Sequence, residues 1–211
     1  LGNQRFSRID QLTRGEHARL SDDDECYYLR EYASGESYSY SDTNQLIFNL
    51  KKGPEKRGTA EWKYKRRAIQ KAGRMLRESM PKKWLQDGTF VPVPPSKNPS
   101  DPDYDDRMWW VLESVGDIDR RKLVVQDRSF APAHLRGPAQ RPTVDELVSA
   151  YRIDHDQADP PPTRIAVVDD VLTAGTHFKA MQHVLQEHFP QARIVGLFIS
   201  RRIWPEDDEP F

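Results

Sequence analysis

The sequence predicts an α/β fold, a mostly parallel sheet with helices on both faces. Two observations carry that expectation. Short apolar runs such as Ile165-Ala166-Val167-Val168 and Ile194-Val195-Gly196-Leu197-Phe198-Ile199 are apolar throughout rather than alternating, the signature of strands buried on both faces. Helical stripes lie between these runs, so strand and helix alternate along the chain, the order that builds parallel βαβ units. Such sheets bind ligands beyond the carboxyl ends of their strands.

Composition agrees with one α/β domain plus additions. The chain has 211 residues, 36% hydrophobic and 31% charged, which gives a modest core under a highly charged surface. A formal net charge of −1 provides no global attraction to nucleic acid or anionic lipid. Cys26 is the lone cysteine, which excludes an intrachain disulfide and a cysteine zinc site. No apolar run approaches ~20 residues, so no membrane contact is expected. With no recognisable signal peptide, a cytoplasmic location is the expectation.

In chain order, residues 1–58 read as polar and irregular, a hood or lid beside a main domain over 59–205, with 206–211 an acidic tail. Ser21-Asp22-Asp23-Asp24-Glu25 can cap a short helix carrying Tyr27, Tyr28 and Leu29. The segment from Asn44 to Leu50 has enough apolar residues to pack onto a core. From Ala60 to Met80 the pattern predicts a long helix. Its basic face holds Lys63, Lys65, Arg66, Arg67, Lys71, Arg74 and Arg77, and Trp62, Ile69, Leu76 and Met80 lie opposite. A solvated surface accounts for this basic face better than nucleic-acid contact. Pro81 and Gly88 bracket the helix exit.

Thr89 to Val93 reads as a strand that leads into Pro94-Pro95-Ser96-Lys97, a rigid turn able to present a hydroxyl and an ammonium to an anion. Asn98 to Asp106 is a Pro/Asp-dense loop expected to be mobile. A helix follows from Arg107 to Val115, with Asp105 and Asp106 placed to cap it, to contact an amine or to approach Mg²⁺. Lys122 to Val125 is the next strand. Thr143-Val144-Asp145-Glu146 opens a helix running to about Tyr151.

The most informative stretch is residues 164–177, Arg-Ile-Ala-Val-Val-Asp-Asp-Val-Leu-Thr-Ala-Gly-Thr-His. The apolar strand is expected to end at Asp169 and Asp170. A small hydroxyl-rich loop, Thr173-Ala174-Gly175-Thr176, then opens a helix with Phe178, Met181, Leu185 and Phe189 on one stripe. Loop amides and the helix dipole together favour an anion, and Gly175 allows close backbone approach. Adjacent carboxylates repel each other and make poor phosphate ligands. They suit sugar hydroxyls, or the outer shell of a hard cation.

This pattern resembles the diphosphoribose-binding loop of type I phosphoribosyltransferases: apolar residues 165–168, the acidic pair, Val171-Leu172, then the Thr/Gly loop. The loop wording is closest to that of orotate phosphoribosyltransferases, and the wider layout, including Val91-Pro92-Val93-Pro94, resembles ComF-like, amidophosphoribosyltransferase-like proteins. The resemblance implies a type I phosphoribosyltransferase-like fold with an N-terminal hood, a role in nucleotide metabolism, and binding of 5-phosphoribosyl 1-diphosphate or a nucleoside 5-phosphate. Phosphoribose would pass to a nitrogen acceptor with Mg²⁺ as cofactor.

By the same resemblance, Thr173, Ala174, Gly175, Thr176 and His177 hold the 5-phosphate, Ser96 and Lys97 contact the diphosphate end, and Arg107 is a further substrate-binding candidate. Asp169 and Asp170 engage the ribose hydroxyls and reach the metal only through these or through water. Asp169, Asp170 and Lys97 are the catalytic candidates, and Arg128, Arg136 and Arg141 are weaker candidates near the diphosphate. Thr173 stands where 6-oxopurine enzymes of the family carry an acid, which disfavours hypoxanthine and guanine. A Lys-rich loop typical of orotate enzymes is absent. A homodimer is compatible with the family. Two alternatives stay open: a sensor of phosphoribosyl compounds or nucleotides without turnover, and a ComF-like component of DNA uptake or defence.

Overall fold

The computed structural model describes residues 5–128 and 142–205. Among these the chain forms an α/β fold with a mostly parallel six-stranded sheet and helices α1–α6. The strands are β1 (Ser7–Arg8), β2 (Cys26–Ala33), β3 (Thr89–Pro92), β4 (Asp119–Arg120), β7 (Arg164–Leu172) and β8 (Arg193–Ile203), in the order β1-β2-β8-β7-β3-β4. Only the edge strand β1 runs antiparallel to its neighbour. A separate antiparallel pair, β5 (Val124–Gln126) and β6 (Tyr151–Ile153), stands apart from this sheet.

The helices are α1 (Asp42–Leu50), α2 (Trp62–Ser79), α3 (Lys82–Asp87), α4 (Arg107–Val115), α5 (Val144–Ala150) and α6 (Thr176–His188). Two apolar cores form. In one, α1, α2 and α4 supply Ile47, Leu50, Ala72, Leu76, Val111 and Leu112 against Ala166, Val168, Val195, Leu197 and Ile199. In the other, α5 and α6 supply Leu147, Phe178, Met181 and Leu185 against Val91, Ile165, Val167, Ile194 and Phe198. No helix among the described residues is long and apolar enough to cross a membrane.

Several expected elements form as read. Helix α4 covers 107–115, and α5 begins with a reciprocal capping box in which Thr143 and Glu146 satisfy each other's backbone N–H. Within α2, Ala68, Ile69, Ala72, Met75 and Leu76 are buried. Ser41 caps α1 by accepting from the Asn44 N–H, and Leu46, Ile47 and Leu50 join the core.

Other expectations are corrected. Residues 1–58 are not irregular: they contain β1, β2 and α1. Tyr27, Tyr28 and Leu29 lie in a strand rather than a helix, because β-prone residues meet a partner in β8, from Cys26 opposite Gly196 to Ala33 opposite Ile203. The strand of the acidic motif does not stop at Asp169. It continues to Leu172, because Val171 and Leu172 pair with Ser200 and Arg201. Likewise β8 extends past Ile199 to Ile203. The strand expected over 122–125 is shifted to Val124–Gln126 and lies outside the main sheet, where short β4 neighbours β3 instead. Lys65, read as part of an exposed basic face, is fully buried. The acidic tail 206–211 lies outside the described residues.

Candidate functional site

Strands β3 and β7 are parallel neighbours, with Pro92 opposite Val168, and the Val93 N–H donates to the Val168 carbonyl at 3.0 Å. Both therefore deliver their following loops to one sheet edge. The Pro-Pro-Ser-Lys turn and the acidic pair thus lie toward the carboxyl ends of neighbouring strands, where open α/β sheets place ligands.

From Leu172 the chain turns through Thr173, Ala174 and Gly175 into α6. Gly175 has φ 88°, a left-handed conformation that an L side chain rarely adopts, and it stands at the helix N-cap. The Lys179 N–H returns to the Gly175 carbonyl at 3.0 Å. Among the described residues the backbone N–H groups of Ala174, Gly175, Thr176 and His177 donate to no protein acceptor. Unpaired amides at the positive end of a helix are groups that can accept an anion. The need for glycine has a second cause besides the positive φ. A Cβ at position 175 would sit 2.8 Å from the Leu20 Cδ2 atom, so Leu20 fills the space beside the turn.

Successive strand residues point to opposite faces, so the two carboxylates part company. Asp170 is buried and turns toward α1 and α4. Its Oδ2 accepts from the Arg107 Nε at 2.9 Å, and its Oδ1 lies 3.6 Å from the Lys51 Nζ. Arg107 in turn donates to the Asp105 Oδ2 at 2.7 Å, and Asp105 accepts from the Lys65 Nζ at 2.7 Å on both oxygens. Lys65 is stacked near Trp62 and Trp110, at 5.5 and 5.9 Å from the ring centroids, and donates to the Lys52 carbonyl at 2.5 Å. Lysine, aspartate, arginine and aspartate thus alternate in one row that ends at Lys51. Burial pushes the Asp170 carboxyl up, but Lys51 and Arg107 outweigh it and hold the group well below the usual carboxylate range.

Asp169 has the opposite balance. Burial, with the Asp170 charge beside it, pushes its carboxyl up, opposed chiefly by the Asp170 N–H that donates to its Oδ1 at 2.8 Å. Burial and Asp169 raise the Tyr151 hydroxyl. That hydroxyl lies 3.0 Å from the His177 Nδ1, and burial pushes the imidazole down to about 4. On this side of β7, Tyr151 and His177 are neutral, and Asp169 is biased toward neutrality.

Ser96 contributes its carbonyl to the Gln126 side-chain amide at 3.0 Å, and the Lys97 ammonium pairs with Asp101 at 3.2 Å. Within 98–106, Asn98 and Asp101 accept from the Ser100 and Asp103 N–H groups, at 3.0 and 2.9 Å. Asp105 serves the charge row. Asp106 occupies the N-cap position of α4 without a side-chain capping bond, and it accepts from the Lys122 Nζ at 2.5 Å instead. Arg128 is exposed, 3.7 Å from the Asp127 carboxylate, while Arg136 and Arg141 lie outside the described residues. Sequence reasoning missed Lys51, His17 and the role of Tyr151. Each reaches the motif from a distant part of the chain, and no local pattern signals them.

No protein-family profile matches this chain, and no curated protein matches it.

Proposed function

We propose that this protein binds 5-phosphoribosyl 1-diphosphate and transfers phosphoribose to a nitrogen acceptor, on a type I phosphoribosyltransferase-like fold. The observation that carries this reading is the row of unpartnered amides from Ala174 to His177, set directly after an acidic pair at the carboxyl edge of the sheet. The amides and the Thr173 and Thr176 hydroxyls take the 5-phosphate. Asp169, which makes no ion pair among the described residues, accepts from a ribose hydroxyl and stabilises positive charge developing on the sugar. Asp170 and Arg107 fix each other and keep the floor of the site rigid. Lys97 exchanges Asp101 for the diphosphate. The acceptor nitrogen forms its bond to the anomeric carbon as the bond to diphosphate breaks, and the nitrogen releases its proton to solvent. Positioning and electrostatics supply the acceleration.

Mg²⁺ does not find a protein cage here. Among the described residues no three His, Cys, Asp or Glu side chains converge on a metal position, and both Asp170 oxygens face cations. In this proposal the ion belongs to the diphosphate and is not a protein-bound centre.

The test is diphosphate release from phosphoribosyl diphosphate with ammonia, glutamine or a panel of nucleobases. Release that depends on one acceptor supports transfer. Binding without release from any acceptor points to a sensor, a reading favoured by the ion pairs that already engage Lys97 and Asp170. The exposed cations Lys63, Arg66, Lys71 and Arg74 on α2 form no ion pair among the described residues and would be the contact points of a nucleic-acid-binding second role. Salt-dependent DNA binding would support it.

A further inference from the structure

The segment Glu16 to Leu20 lies in the region expected to form a hood or lid, and it touches the loop after β7. The Arg19 backbone N–H donates to the Ala174 carbonyl at 2.9 Å. His17 Nδ1 lies 2.5 Å from the Thr173 carbonyl oxygen, and Leu20 packs beside Gly175. A carbonyl only accepts, so Nδ1 carries the proton. His17 is fully buried, and its Nε2 has no hydrogen-bond partner among the described residues. Leaving a buried nitrogen bare is unfavourable, so a histidine kept only for bulk would be better replaced by an apolar residue. The Nδ1 bond is what distinguishes it.

Peptide geometry gives these contacts a consequence. In a planar trans peptide the carbonyl of one residue and the N–H of the next point in opposite directions. Drawing the Thr173 and Ala174 carbonyls toward His17 and Arg19 therefore turns the Ala174 and Gly175 N–H groups to the other side. The segment is itself anchored. The Asp24 carboxylate accepts from the Lys179 Nζ at 2.8 and 3.0 Å and from the Ser21 N–H at 2.7 Å, and the Arg202 guanidinium donates to the Glu16 carbonyl at 3.3 Å.

We infer that His17 and the Arg19 amide are positioning groups: they hold the loop carbonyls away so that the amides of residues 174 and 175 face a bound phosphate. The inference rests on the phosphate-site reading above. It assigns part of the N-terminal region to the phosphate rather than to the acceptor.

The experiment is calorimetric titration of wild type, His17→Ala and His17→Asn with ribose 5-phosphate and with inorganic phosphate, alongside thermal unfolding of each protein. The Asn side chain can place an N–H near the position of Nδ1. His17→Ala is expected to weaken ribose 5-phosphate about fivefold, the loss of one hydrogen bond, and His17→Asn to stay within about twofold of wild type. Wild type binding neither ligand at millimolar concentration would overturn the phosphate site, and the inference with it. Wild-type binding with unchanged affinity in folded His17→Ala would overturn the inference alone. If His17→Ala does not fold, His17→Gln replaces it, because the longer side chain carries its N–H past the Thr173 carbonyl. Asn binding more tightly than Gln supports the positioning role, and equal affinities refute it.

Discussion

On one side of β7, Asp170 closes a row of alternating charges that links α1, α2, α4 and the loop before α4. On the other side, Asp169 shares its surroundings with a tyrosine and a neutral histidine and has no cation of its own. The two residues are chemically identical and adjacent in sequence. Their environments differ because a strand sends neighbours to opposite faces, and the helices packed on those faces carry different side chains. One carboxylate is a structural anion whose charge is fully compensated. The other has no compensating cation beside it among the described residues, and burial and its charged neighbour push it toward the neutral form.

The comparison is broken most forcefully at Asp105. Replacing it by Ala leaves buried Lys65 without its counter-charge and Arg107 half-paired, and breaking a buried pair in this way costs about 3–5 kcal/mol. Chemical denaturation should show that loss. Asp170→Asn removes one acceptor charge from Arg107 and Lys51 and should cost about 1.5–3 kcal/mol by the same measurement.

Asp169→Asn should act in the opposite direction. The Asp169 carboxyl titrates higher in the fold than in the unfolded chain, so its ionisation removes stability as pH rises through the folded value. The Asn variant should therefore match wild type near pH 4 and be the more stable of the two near pH 8. For Asp170, titrating lower in the fold, stabilisation is present above the unfolded value and is lost as pH falls through the folded one. Two stability profiles with opposite slopes would sharpen the comparison, and parallel profiles would remove it. The smallest effect is expected from Tyr151→Phe, which removes a single hydrogen bond to His177, worth about 0.5–1.5 kcal/mol. A loss as large as that of Asp105→Ala would mean that both faces depend on buried polar networks.

Much of this was legible where the signal is local. The apolar run, the acidic pair, the glycine turn and the α6 stripe are contiguous, and they form the strand, loop and helix that the sequence predicts. The α5 capping box also lies within four residues. What escaped depends on distant partners. Strand β2 is stabilised by pairing with β8 across most of the chain, so its own residues look irregular. Lys65 occupies a position where helix periodicity allows either face, and the approach of Asp105, the Lys52 carbonyl, Trp62 and Trp110 makes burial of a charge tolerable. His17 meets Thr173 at a sequence separation of 156 residues, which no local pattern can foretell.

Residues 174–177 are proposed to present their amides to the phosphate of a phosphoribosyl compound. Titrating isotope-labelled protein with ribose 5-phosphate, while following every backbone amide by NMR, tests it most directly. The amides of Ala174, Gly175, Thr176 and His177 are expected to shift most and saturate together, with smaller changes around Asp169. Saturation elsewhere on the molecule, or no shift at these amides up to several millimolar ligand, would contradict it.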